Sequence, residues 1–511
     1  MIRGHGARRS PWEGLHPPAA SMSGSGTARG TEPRVRVGVL TAAGRGVRAY
    51  PRTVWVPKVL LEVGGKPLLQ RNLELLRDQL GIRELVVLVG HLQEVVREFL
   101  GDGARFGVSV RYVDVGDPGI GLARGLRLAR AYLAEPFVTI LGDELYLGSN
   151  HGELLRLEGD WEAVCAYLPT DDPRSIEKNY EVTVADGLVA DLVEKPRSVR
   201  GEHLGVGTFV FKESIFDAID RTAPDPRSNR VELIDALLTL VRENKPVRAF
   251  RLEGEYVNVN SVEDQNTANY VARSRAFAGC KVSIVIPAWN EEESIGHVVR
   301  DFLPHAHEVV VADNRSSDRT AEIAQKLGAR VSSKALAGYG DALVHGMDEA
   351  TGDILVLVEA DHSFRAKDLG KLLEYMKDAD MVIGTRTTRE MVEQGTNMHG
   401  IVRWANVVVG KIIEVLWWDQ EPRFTDVGCT YRAIWRDVYE KIRPRLVGKG
   451  PEFSPEMMIE VLRQRRRVVE IPVSYYARRG GASKHSAGFW SLARTATKML
   501  RMIVRKRFRT G

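Results

Sequence analysis

The chain has 511 residues, too many for one ordinary domain, and its 44% hydrophobic and 27% charged content is that of a globular protein rather than a disordered or fibrous one. Cys165, Cys280 and Cys429 stand far apart with no CxxC pair, which excludes a disulfide framework and a zinc site and points to a reducing cytoplasm. The net charge of +5 arises at one end: Arg478 to Gly511 holds ten Lys/Arg and no Asp/Glu, against 62 Lys/Arg and 67 Asp/Glu elsewhere, so a generally basic nucleic-acid binder is excluded and a local anionic partner such as a membrane surface is indicated.

Residues 1–33 are rich in Gly, Ser, Pro and Arg and carry no apolar run. They are expected to be disordered and to hold no secretory signal, with Met22 an alternative start. From 34 to 273 short Val/Leu/Ile-rich segments alternate with helical patterns. Strands are expected at Val35–Leu40, Glu84–Val89, Val108–Val113 and Phe137–Leu141, with helices at Leu68–Leu80 and Gln93–Leu100. Such a βαβ series predicts an α/β domain with a mostly parallel, Rossmann-like sheet.

The first strand runs into a glycine-rich turn, Gly44-Arg45-Gly46-Val47-Arg48, followed by Pro57-Lys58. Gly44 and Gly46 permit close backbone approach, so amides can hold a triphosphate. Arg48 and Lys58 add fixed positive charge where a pyrophosphate leaves. A tight βα turn is the plain alternative for this loop taken alone. Further features follow in order: Gly119-Ile120-Gly121-Leu122, Gly142-Asp143 after a strand, Glu194-Lys195-Pro196, Gly205–Phe211, and Val257-Asn258-Val259-Asn260.

This order resembles the sugar-1-phosphate nucleotidyltransferases, and the eight residues between Arg48 and Pro57 resemble their hexose-1-phosphate branch. The resemblance implies that Gly44, Gly46 and Arg48 hold the triphosphate of an NTP and Lys58 the phosphate of a sugar 1-phosphate. It implies that Gly121 lies against the base, Glu194 and Lys195 face the sugar, and Asp143 and Asn258 ligate Mg²⁺. The family often has Asp where Asn258 stands; Asn remains an oxygen donor suited to a hard cation. The sugar phosphate is already an anionic nucleophile, so alignment and charge neutralisation suffice for in-line displacement.

Residues 274–280 carry no strong pattern and are expected to be a linker. A second α/β series is expected over 281–487, with strands at Val282–Ile286, Glu308–Ala312 and Ile354–Glu359 and helices at Ser294–Phe302 and Arg319–Leu327. Pro287-Ala288-Trp289-Asn290-Glu291, Asp313 to Asp318, Gly338-Tyr339-Gly340 and Glu359-Ala360-Asp361 resemble, in that order, the motifs of family 2 glycosyltransferases. Asp426 to Arg432, Glu456 and Arg478 to Lys484 resemble the dolichol/polyprenyl-phosphate sugar synthases of that family. The resemblance implies a GT-A-like fold and an NDP-sugar held by Pro287, Asn290, Glu291, Asp313, Asp318 and Gly340. It implies Mg²⁺, or Mn²⁺, at Glu359 and Asp361, and assigns Asp426, Arg478, Ser483 and Lys484 to substrate. Asp361, Arg432 and Glu456 are implied to be catalytic. Departures from the family pattern are Glu359 for the first Asp and Arg315 for the usual Gly.

The segment Ile401–Trp418 carries Arg403, Lys411 and Glu414 and is expected to be an interfacial or packed helix rather than a span. In the tail, 488–511, Phe489, Leu492, Ala496, Met499/Leu500 and Ile503 recur at helical spacing with Arg494, Lys498, Arg501 and Arg505 largely opposite. This pattern fits a helix lying on an anionic leaflet, or one packed on its own domain with a basic solvated face. The sequence therefore predicts a bifunctional enzyme at the inner face of the membrane, monomeric or a homo-oligomer. It would make an NDP-sugar and transfer the sugar to a polyprenyl phosphate. Two alternatives are transfer to a soluble acceptor, and a first domain that senses nucleotide sugar without turnover.

Overall fold

The computed structural model describes residues 35–508 apart from 117, 135, 157–158, 225–229, 395, 397–399, 421 and 479–488. The chain forms two compact units, Met1–Gln265 and Asn266–Gly511. The division falls inside the helix Val262–Phe277, which reaches four residues into the expected linker.

The first unit is built on a nine-stranded sheet. In spatial order its strands are Ser109–Asp114, Glu84–Val89, Val37–Ala42, Phe137–Leu141, His203–Phe211, Ala163–Pro169, Val247–Arg251, Leu188–Glu194 and Tyr180–Ala185. The first four run parallel. His203–Phe211 then runs antiparallel to both neighbours, which makes the sheet mixed. Val37–Ala42 and Phe137–Leu141 are buried on both sides, as their unbroken Val/Leu/Ile content requires. Helix Leu68–Asp78 lays Leu69, Leu73 and Leu76 on the sheet, a 3.6-residue stripe whose burial contributes about 1.5–3 kcal/mol per leucine.

The second unit has a seven-stranded sheet ordered Arg330–Ser333, Glu308–Asp313, Val282–Ala288, Ile354–Leu357, Arg432–Trp435, Met381–Thr385 and Val468–Pro472. Only Arg432–Trp435 is antiparallel, to both of its neighbours. Ile295–Phe302 and Tyr339–Glu349 pack apolar faces into one core with these strands. Both units are thus α/β with parallel-rich central sheets, the expected Rossmann-like class. In each, loops that leave the carboxyl ends of adjacent parallel strands are brought side by side, where open α/β sheets place ligands.

Candidate functional site

In the first unit Val37–Ala42 pairs with Phe137–Leu141, Thr41 opposite Leu141. The Gly44–Arg48 turn and Gly142-Asp143 therefore leave the sheet side by side. At Gly142 the backbones are so close that a Cβ would lie 2.2 Å from the Thr41 carbonyl oxygen, so only glycine fits before Asp143. Gly46 has φ +62°, the left-handed region, and caps the short helix Val47–Ala49 that carries the exposed Arg48. The Thr53 hydroxyl donates to the Gly46 carbonyl at 2.7 Å and fixes the turn.

Lys58 reaches across to this point. Its ammonium ion-pairs with the Asp143 carboxylate and donates to Asn260 Oδ1 at 2.7 Å. Asn260 Nδ2 donates to Asn258 Oδ1, and Asn258 Nδ2 to Asn179 Oδ1, each at 2.7 Å. The Lys195 amide donates to the Asn179 carbonyl at 2.8 Å, and its side chain pairs with Glu194 at 2.8 Å. Lys58, Asp143, Asn258, Glu194 and Lys195 are thereby joined in one polar chain. Asn179, which carried no motif of its own, and Asn260, from the Val257–Asn260 segment, complete it. Gly121 lies at the start of helix Leu122–Leu128, against the Val231 backbone.

Behind Asp143 sits Glu144, only 2% exposed, accepting from the Tyr256 hydroxyl at 2.7 Å, the Gly207 amide at 2.8 Å and the Tyr146 hydroxyl. Burial first, and the Asp143 charge second, push its pKa up to about 7. Glu144 is a buried post under the site, absent from the expected set because nothing in its local sequence marks it.

In the second unit the strand pairing sets Ala288 opposite Asp313, and Asp313 opposite Ser333. Asp313 is 2% exposed and accepts from the Ser333 hydroxyl at 2.7 Å. Asn290, at φ +54°, accepts from the Ser317 amide at 2.8 Å and donates its own amide to the Ser316 hydroxyl at 2.9 Å. The Glu291 amide bonds the Thr320 hydroxyl at 2.8 Å, and Asp318 takes the Glu292 amide at 3.1 Å. Pro287, Asn290, Glu291, Asp313 and Asp318 thus form one interlocked strand-end loop. Gly340 lies in the first turn of Tyr339–Glu349, its amide on the Lys449 carbonyl at 2.9 Å.

Beyond the end of Ile354–Leu357, Glu359 and Asp361 face Arg478. The Arg478 guanidinium is 3.6 Å from Glu359 and 2.9 Å from Asp361. Glu359 also accepts from the Thr430 hydroxyl at 2.8 Å, and burial, then the neighbouring Asp361, raise its pKa. Asp361 Oδ1 accepts the Ser363 amide at 2.9 Å, while its buried Oδ2 has no hydrogen bond among the described residues. Two neighbouring carboxylates are a donor set suited to a hard divalent cation, and here the Arg478 guanidinium supplies the positive charge between them, ion-paired to Asp361 Oδ2. The donors at Asp143 and Asn258 are also oxygens, but Lys58 and Asn260 occupy them. Among the described residues no cluster of three His, Cys, Asp or Glu is set to hold a metal.

Three other expected residues are deeply enclosed. Asp426, 0% exposed, accepts from the Arg386 amide at 3.0 Å and from its Nε and Nη2 at 2.8 and 3.0 Å. Burial works to raise its pKa, and the Arg386 charge together with the hydrogen bonds from Arg386 and the Gly428 amide outweighs it and lowers it. Arg432 donates Nε to the Cys429 carbonyl at 3.0 Å and Nη1 to the Ser454 carbonyl at 2.8 Å. Glu456, 0% exposed, accepts the Gly448 amide at 2.7 Å and pairs with Lys506 at 2.8 Å. Their polar groups bind the protein's own backbone and side chains. Arg386, which follows strand Met381–Thr385, was not among the expected residues. Ser483 and Lys484 lie outside the described residues.

Residues 37–291 match the Nucleotidyl transferase family, and residues 283–443 match Glycosyl transferase family 2. The UTP--glucose-1-phosphate uridylyltransferase AglF of Haloferax volcanii is 30% identical over 45% of this chain and 93% of its own length. The low-salt glycan biosynthesis nucleotidyltransferase Agl11 of the same organism is 32% identical over 45% of this chain, a match that spans 64% of Agl11. The second half is 33% identical to the uncharacterized glycosyltransferase Rv0539 of Mycobacterium tuberculosis, over 41% of this chain and 92% of that protein. This chain therefore belongs to the Nucleotidyl transferase family over residues 37–291 and to Glycosyl transferase family 2 over residues 283–443.

Proposed function

We propose that the protein is a bifunctional enzyme that makes an NDP-sugar and then transfers its sugar to a polyprenyl phosphate at the inner face of a membrane. The observation that carries the reading is the covalent union of the two families, each with its charged residues gathered at the carboxyl ends of parallel strands. The first chemistry yields the donor that the second consumes.

In the first unit Arg48 and the Gly44–Gly46 amides would bind the triphosphate, and Lys58 would hold the sugar phosphate as nucleophile. Bringing the two anions together is the main obstacle, and fixed cations lower it. Asp143 and Asn258 would hold Mg²⁺, once Lys58 turns from Asp143 to the incoming phosphate. In the second unit Asp361 and Glu359 would hold Mg²⁺ or Mn²⁺, and Arg478 would be released to the acceptor phosphate or the leaving diphosphate. A divalent cation at either place supplies charge neutralisation of a diphosphate.

The name of AglF makes UTP with glucose 1-phosphate the first pair to test. A matrix of NTPs against sugar 1-phosphates, read by pyrophosphate release, tests synthesis. Radiolabelled product that becomes extractable into organic solvent only with added polyprenyl phosphate tests transfer. Label remaining in the aqueous phase on a sugar or polyol would redirect the second reaction to a soluble acceptor. Nucleotide-sugar binding without pyrophosphate release would make the first unit a sensor.

A further inference from the structure

Helix Ile401–Leu416 is apolar on two opposite faces. One face, Val409, Ile413 and the following Trp417, is 0–6% exposed and packs into the core of the second unit. The other is open: Trp404 is 70% exposed, Val408 54%, Val415 71%, and Trp418, just past the helix, 73%. Positions 404, 408 and 415 fall on one stripe of a 3.6-residue helix. Scattered surface hydrophobes need no explanation, but Trp404, Val408 and Val415, interrupted by Lys411 and continued by Trp418 past the helix, mark an interaction surface.

The neighbouring helix Phe489–Phe508 repeats this arrangement. Met499, Met502 and Ile503 are buried, while Val504 is 50% and Phe508 72% exposed. Lys498, Arg501 and Arg505 are exposed beside them. The two helices pack together, with the Arg507 guanidinium 5.6 Å from the centre of the Trp417 ring. No acid stands anywhere from Arg478 to Gly511. No helix among the described residues is long and apolar enough to cross a membrane.

We infer that these two open stripes form a docking surface for an anionic lipid bilayer, with Trp404 and Trp418 entering at headgroup level and Arg501 and Arg505 drawn to lipid charge. Tryptophan favours that depth, and amphipathic basic helices lie in the interface plane. The basic flank selects a charged leaflet over an apolar protein partner. The inference deepens the lipid-acceptor reading by naming the surface that brings the second unit to its substrate.

The test is co-sedimentation of the full chain with phosphatidylcholine vesicles and with vesicles containing about a third phosphatidylglycerol, at low and high salt. Binding is expected only to the anionic vesicles and should weaken as salt rises. Trp404→Glu/Trp418→Glu and Arg501→Glu/Arg505→Glu should each lower it at least tenfold. All four side chains lie on exposed faces, so an unchanged melting curve and unchanged pyrophosphate release are expected as folding controls. Absence of wild-type binding, or equal binding by both double variants, overturns the inference. So does a wild-type dimer that Trp404→Glu/Trp418→Glu makes monomeric without any vesicle binding, which would give the face to a second copy of the chain. Transfer to a lipid phosphate presented in detergent is measured in parallel. Its failure with vesicle binding intact sinks the acceptor reading alone, and the reverse result sinks the docking surface alone.

Discussion

Lys58 stands between Asp143 and Asn260, with its side chain 11% exposed, and supplies the cation of that cluster. Lys58→Ala would remove the charge that offsets Asp143 and that would receive the sugar phosphate. Pyrophosphate release should fall by about 10²-fold or more, while transfer from supplied NDP-sugar stays intact. Asp361→Ala should do the reverse: transfer falls by about 10²-fold or more and pyrophosphate release is unchanged. Near-normal transfer in that variant would move the cation site elsewhere or make transfer independent of one. Lys58, Asp143, Asn258, Glu359 and Asp361 could be singled out in the sequence because each stands in a motif whose order along the chain is recognisable. Asn179 and Arg386 could not, because their roles exist only through contacts to residues 79 and 40 positions away. For Arg432 and Glu456, implied to be catalytic, sequence shows a charge and its motif but not the backbone carbonyls and amides and the Lys506 ammonium that they bind in the fold.

Among the elements, Glu84–Val89, Gln93–Leu100 and Phe137–Leu141 have the expected bounds, since their apolar runs and periodicities are unbroken. Val37–Ala42 begins two residues late and continues two further, because Thr41 and Ala42 still pair with Leu88 and Val89. The antiparallel half of the first sheet was not foreseen as strands. His203–Phe211 carries Gly205, Gly207 and a register shift between Gly205 and Phe209, which blur its alternation. In the tail helix the buried face is Met499, Met502, Ile503 and Lys506, rotated from the expected stripe. Hydrophobic periodicity cannot place a lysine on a buried face, yet Lys506 lies 2.8 Å from Glu456 and 2.9 Å from Glu460, both 0% exposed. Lys506→Met should therefore leave two buried carboxylates short of a partner and destabilise the second unit by about 3 kcal/mol. Urea unfolding followed by a probe in that unit measures it, and an unchanged midpoint would show that backbone donors and Arg463 suffice. For the same reason, deleting 488–511 would damage the fold as well as any anchor, and the surface substitutions are the cleaner test of membrane docking.

At the scale of the whole molecule, the proposed function would have two sites on one chain share a single intermediate. Each unit has its own sheet, its own core and its own cluster of charged strand ends. An NDP-sugar carries a charged diphosphate and dissolves freely in water, so it can pass between chains as a solute. Lys58→Ala and Asp361→Ala should then complement each other in trans. Neither variant alone should carry NTP, sugar 1-phosphate and polyprenyl phosphate through to glycolipid. An equimolar mixture should do so after a lag in which free NDP-sugar accumulates, and an excess of unlabelled NDP-sugar should dilute the label in the product. The measurement is the time course of organic-extractable label with and without the unlabelled pool. If the mixture stays inactive although each variant retains its remaining half-reaction, the intermediate does not leave the chain that made it. The covalent fusion would then act as a conduit rather than as a means of keeping the two enzymes at one membrane.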